Sequence, residues 1–149
     1  MAKMNWRAIG PMVERRVPEA LHGEGVAAMK PILEAVVGEF IRAHSPWAPR
    51  GGWGREADMI REEARYHIRE TTAVDGQTGK PYHRWLEVFY NGEQLVVDPL
   101  AGPPDLIKTG LDQLKDDLQA RQLELERLRR DYPEEFEDSE DDEDGADQL

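Results

Sequence analysis

His83, Glu87 and Asp98 are the side chains of this 149-residue chain whose types and spacing suit proton-transfer chemistry. They flank Asn91-Gly92, a dipeptide suited to a two-residue hairpin turn because both central positions of that turn need positive φ. With Asn91-Gly92 as the loop, Tyr90 pairs with Glu93, Val88 with Leu95, Leu86 with Val97 and Trp85 with Asp98. Strand side chains alternate in direction. Arg84, Leu86, Val88 and Tyr90 therefore share one face with Leu95, Val97 and Pro99, and His83, Trp85, Glu87 and Phe89 share the other with Gln94, Val96 and Asp98. His83 and Asp98 become diagonal neighbours, roughly 7 Å apart at Cβ, within reach of an imidazole–carboxylate bond. Such a carboxylate orients the ring and favours its charged form. The pair fits two roles: a polar clasp on the hairpin, or a general-base dyad with Glu87 beside it. A three-residue loop would reverse the parity and part the two groups.

The run His83-Arg-Trp-Leu-Glu-Val, then a hairpin, then Val96-Val97-Asp98-Pro99-Leu100, resembles the His-Asp half of the transglutaminase-like branch of papain-fold proteins. In that family a strand reading His-x-Trp-x-Glu-Val precedes a strand ending in Asp-Pro. The resemblance implies a helix packed on an antiparallel sheet and a Cys-His-Asp triad, with His83 as base and Asp98 as its orienter. The family's nucleophilic cysteine begins the upstream helix, where backbone N–H groups lower the thiol pKa. The matching place here, near Gly23-Glu24-Gly25, offers no Cys, Ser or Thr; the only serines are Ser45 and Ser139, and the chain has no cysteine. Without a nucleophile His83 has nothing to activate, which points to a pseudoenzyme. The alternative is a hydrolase in which water or a metal takes the thiol's place.

Other chemistry finds less support. His67, His83, Glu87 and Asp98 are the candidate metal ligands, but His83 and Glu87 lie four residues apart on an expected strand, too far to grip one ion easily. Gly51-Gly52-Trp53-Gly54 lacks the Lys-Ser/Thr and the preceding strand of a phosphate loop. No metal and no cofactor are expected. Arg61, Arg65, Arg69 and Arg84 sit among acids, so direct nucleic-acid binding is not expected. No stretch reads as a signal peptide or approaches ~18 continuous apolar residues, so no membrane contact is expected, and zero cysteines suit a cytoplasmic protein.

The elements that position these residues read as α+β: a small antiparallel three-stranded sheet packed against an N-terminal helix, then a long C-terminal helix and a disordered acidic tail. Pro11 and Pro18 confine any helix in residues 1–21 to the stretch between them. Val26, Met29, Leu33, Val36, Val37, Phe40 and Ile41 form the apolar stripe of a helix over 24–44, which starts or kinks at Pro31. Residues 45–54 form a loop; its Trp47 and Trp53 either pin it to the core or offer an aromatic contact surface to a partner. Residues 55–64 read as a short helix. Residues 65–74, rich in β-branched and aromatic types, read as a strand, completing a meander over 65–98 with strands 82–90 and 93–98.

A long helix follows from about Asp105 to Asp131. Ile107, Leu111, Leu114, Leu118, Leu125 and Leu128 alternate by four and three, with Arg121 in one seam position, as in a coiled coil. That seam must be covered by the helix's own domain, by another copy or by a partner protein. Residues 134–149 hold ten acids and no base, leaving residues 1–133 nearly neutral at 21 acids against 19 bases. Such a run stays disordered and solubilises, binds a basic protein, or mimics nucleic-acid charge as an inhibitor does. The expected organisation is an α+β domain over 1–104, a helix over 105–133 and a tail over 134–149. The expected function is a non-catalytic interaction or assembly module, contacting a protein partner or a second copy through Leu111, Leu114, Leu118, Leu125 and Leu128 of the long helix and through the acidic tail.

Overall fold

A computed structural model of the chain describes residues 4–44 and 51–134. A short 3₁₀ turn at Trp6–Ala8 leads into α1 (Ile9–Leu21), followed by β1 (Val26–Ala28), α2 (Met29–Ala43), α3 (Gly54–Glu70), β2 (Thr72–Val74), β3 (Pro81–His83), β4 (Leu86–Tyr90), β5 (Glu93–Val97) and α4 (Pro104–Asp131). The fold is α+β, with a three-stranded antiparallel sheet in the order β1-β5-β4 and a separate two-stranded pair, β2-β3. The chain divides into two units, Met1–Leu111 and Asp112–Leu149. Within the first unit, Gly110 of α4 packs on Leu86 and Val88 of β4.

Apolar residues at helical spacing build the core. Ile9, Met12, Val13, Val17 and Leu21 of α1 meet Met29, Ile32, Val36, Val37 and Phe40 of α2 and Ala57, Ile60, Ala64 and Ile68 of α3. Burying each large side chain stabilises the fold by about 1.5–3 kcal/mol. Ion pairs brace the helices from outside. Arg16 donates to Glu39 Oε1 at 2.9 and 2.7 Å, and Arg15 donates to the same oxygen. Burial opposes the charge on Glu39, but the two guanidinium bonds outweigh it and hold its carboxyl below its ordinary value. Arg61 joins α3 to α2 through Glu34, at 2.7 and 3.2 Å, and these bonds likewise lower the Glu34 carboxyl.

Four expected elements differ from the fold. The helix read over 24–44 begins at Met29, with Pro31 in its first turn, because Val26–Ala28 pairs with β5 instead. α1 runs through both prolines. Pro11 lies in its first turn, where an N–H has no helical partner, and Pro18 lies near its end at an exposed position. Residues 65–70 are helical because Ala64 and Ile68 continue the buried stripe of Ala57 and Ile60, and tertiary burial overrides the local β preference of Tyr66 and Ile68. The third strand of the main sheet is therefore β1, which pairs Val26 with Val97 and Ala28 with Leu95. The expected strand 82–90 is two strands, since His83 pairs with Thr72 and the Arg84 N–H donates to the Thr71 carbonyl before Trp85 turns into the core.

The hairpin register is as expected: Leu86↔Val97, Val88↔Leu95 and Tyr90↔Glu93. Asn91 and Gly92 take φ of 52° and 77°, as that turn demands. Both sheet faces are covered. Val96 joins the helical core, whereas Leu86, Val88 and Val97 lie against Gly110 and Gly102.

Candidate functional site

The structure does not join His83 to Asp98. His83 ends β3 in the small sheet, and its Nδ1 lies 3.0 Å from the Arg69 carbonyl at the end of α3. A carbonyl only accepts, so Nδ1 carries the proton. Asp98 follows β5 in the larger sheet, and its Oδ1 accepts the Leu100 N–H at 2.8 Å. No bond links the two, because the bend at Arg84-Trp85 ends the strand that the diagonal geometry required. Each group serves its own turn.

Glu87 is also engaged. Arg65 of α3 donates to both of its oxygens, at 2.7 and 3.0 Å, and Gln94 of β5 donates at 2.9 Å. The Glu87 side chain is 12% exposed and that of Arg65 39%. The bonds from Glu87 raise the Arg65 guanidinium pKa above its ordinary value, against the smaller effect of burial. With both oxygens bridging helix to sheet, Glu87 is a structural tie. Sequence parity placed Gln94 on its face, but Arg65 was hidden by the strand reading of 65–74.

A pocket of about 450 Å³ opens beside Asp98, walled by Leu21, His22, Gly23, Gly25, Tyr82, Arg84 and Trp85. Its floor is tied by backbone: Asp98 N–H donates to the Gly25 carbonyl and Gly102 N–H to the Asp98 carbonyl, each at 2.8 Å. A Cβ on Gly25, whose φ is +71°, would lie 2.6 Å from the Ala101 oxygen. Arg84 stacks over Trp85 with its guanidinium carbon 4.6 Å from the ring centroid, a cation–π contact on the pocket wall. The segment where the resemblance expects a nucleophile thus shares a pocket with Asp98, but His83 does not line it. His22, Tyr82 and Arg84 were not expected here; they converge only because β3 and the Gly23–Gly25 bend approach the end of β5.

His67 sits on α3, with Nε2 3.5 Å from Glu63 and Cε1 3.2 Å from an ideal Cβ on Gly10, so it does not join His83. Among the described residues no three His, Cys, Asp or Glu side chains form a metal-binding group. Trp53, partly buried, packs against the core, edge-on to Phe40 with centroids 6.5 Å apart, and its indole anchors the start of α3. Trp47 lies outside the described residues, as does the acidic run beyond Glu134.

Of the four α-helices among the described residues, the expected partner-contact helix buries the fewest residues. Gly110 is the one buried residue of α4. Leu111, Leu118 and Leu125 are 49%, 53% and 41% exposed, while Leu114 and Leu128 are half-buried. Leu123, outside the seam, is exposed as well. No helix among the described residues is long and apolar enough to cross a membrane. Comparisons of the chain with protein-family models, curated proteins and solved structures return no match.

Proposed function

We propose that this protein is a non-catalytic assembly module on a degenerate transglutaminase-like scaffold, acting in the cytoplasm and contacting other polypeptides through α4. The observation that carries the reading is the uncovered leucine seam. A helix of 28 residues is about 42 Å long, and helices in proteins draw most of their stability from packing an apolar face. The seam has that face and, from Asp112 onward, no buried residue. His83, Glu87 and Asp98 are meanwhile bound to other parts of the chain, in roles that hold turns and tie a helix to a sheet. The pocket beside Gly23 and Asp98 supports the scaffold resemblance, and the missing Cys, Ser or Thr there supports the non-catalytic reading.

Photocrosslinking tests this. A photoreactive residue replaces Leu118 on the seam, or Asp116 on the opposite face, in the full chain within extracts of the cells that make it. Leu118 is expected to yield a discrete polypeptide adduct that Leu125→Glu abolishes, and Asp116 to yield none. No adduct from Leu118, or equal adducts from both positions, overturns the reading.

A further inference from the structure

Resting on the reading of α4 as the contact element, we infer that its partner is a second copy of this chain, the two helices lying parallel and in register. Leu111, Leu118 and Leu125 take the first core position of a heptad, and Ile107, Leu114, Arg121 and Leu128 the second. None of these is buried within one chain. Three heptads of such a seam are long enough to bury a continuous stripe against an identical helix.

The flanking charges choose the orientation. On one side of the seam stand Asp117, Glu124 and Asp131; on the other stand Lys108, Lys115, Gln122 and Arg129. In a parallel pair each flanking residue meets the opposite flank of the second helix five positions on. Glu124 then meets Arg129, Asp117 meets Gln122, and no like-charged flanking residues face each other. An antiparallel pair with the leucines matched, Leu111 opposite Leu128 and Leu114 opposite Leu125, sets like flanks together. Asp117 then faces Glu124 and Lys108 faces Arg129, in both halves of the pair. Repulsion of this kind excludes a competing arrangement as effectively as attraction selects the right one.

Arg121 sets the register. Within one chain its guanidinium is 3.1 Å from Asp117 one turn earlier. In register, the two arginines form one shared layer whose heads reach outward to the Asp117 carboxylates. A slip by one heptad would place each arginine between leucines of the other helix. A single charged core layer of this type fixes register and weakens association. The ten acids of residues 134–149 follow both helices at the same end, and at 0.15 M salt charges more than about 8 Å apart are largely screened, so their repulsion falls on the nearest few.

The absence of cysteine gives a clean test. Leu118→Cys, Leu125→Cys and Asp116→Cys are made singly in the full chain, oxidised mildly and run on non-reducing gels, beside sedimentation equilibrium of the unaltered chain. Positions 118 and 125 can both meet their own copies only in a parallel in-register pair. Leu118→Cys and Leu125→Cys are each expected to give mostly disulfide-linked dimer, Asp116→Cys little, and Arg121→Leu to tighten self-association at least tenfold. Linkage at 118 without linkage at 125 means an antiparallel pair and overturns the proposal. A chain that stays monomeric, with neither position linking, overturns the second copy as partner. If the Leu118 photoadduct to a different polypeptide persists in that case, the contact role of α4 stands alone; if it too is absent, both fall.

Discussion

Gly110→Ala is expected to destabilise the protein although it replaces the worst non-proline helix former with the best. In an open helix this change gains about 1 kcal/mol. An ideal Cβ on Gly110 would lie 2.7 Å from Val88 Cγ2 and 3.3 Å from Leu86 Cβ. Val88 is fully buried, mid-strand and β-branched, so its methyl cannot swing aside without leaving its rotamer. Overpacking of this kind costs about 1–3 kcal/mol, which leaves a net loss of about 1 kcal/mol after the propensity gain. Gly38 provides the internal contrast. It lies within α2, and its ideal Cβ meets the tip of the flexible Arg42 side chain at 3.3 Å, so Gly38→Ala keeps most of the gain, about 0.5–1 kcal/mol. Urea unfolding followed by circular dichroism should move the midpoint in opposite directions for the two variants, by about 0.5 M each for a typical m-value near 2 kcal/mol/M. Equal stabilisation by both would refute the packing of α4 onto β4.

Other outcomes follow from the same geometry. His83→Ala and Asp98→Ala should each cost about 1 kcal/mol and add within about 0.5 kcal/mol in the double variant, because each loses its own hydrogen bond; strong coupling in that cycle would restore a dyad. Arg65→Ala should cost more than Glu87→Gln, by about 1 kcal/mol in thermal or urea unfolding, since it strands a carboxylate that is less exposed than its partner; the reverse order would contradict the tie. The Glu39 carboxyl titrates below its ordinary value of 4.5 when folded, so its contribution is complete above that pH and is lost as pH falls through the lowered value. Glu39→Gln should therefore lower stability by about 1 kcal/mol at pH 7 and flatten the acid limb of the stability curve; an unchanged limb would reject the Arg15 and Arg16 bonds as its cause.

The hairpin was the most legible part of the sequence. Asn91-Gly92 admits one turn geometry, and period-two alternation then determines which residues pair and which faces they share, as Val96 and Val88 show by entering opposite cores. Most of the stripe of α2 and the extent of α4 were legible for the same reason of periodicity, though Val26, read into that stripe, stands in β1 and the buried Ile32 was missed. What escaped were decisions made by distant residues. Val26–Ala28 has too few residues to announce a strand and becomes one by pairing with Val97, Val96 and Leu95. Arg65 and Ile68 are helical because alanines at 57 and 64, weak as hydrophobic signals, complete a buried stripe. His83 parted from Asp98 because a backbone bond from Arg84 to Thr71 diverts the strand, and no local pattern encodes that bond. The seam of α4 was visible in the spacing; the exposure of its Leu111, Leu118 and Leu125 was not.

Hydrogen exchange across a dilution series of the full chain tests the central claim most directly. The account predicts that amides from 112 to 131 gain protection as concentration rises while those of α1, α2 and α3 stay unchanged, because covering the seam is what stabilises the second half of α4. Equal protection of 112–131 at every concentration would show a helix that needs no second copy, and would contradict it.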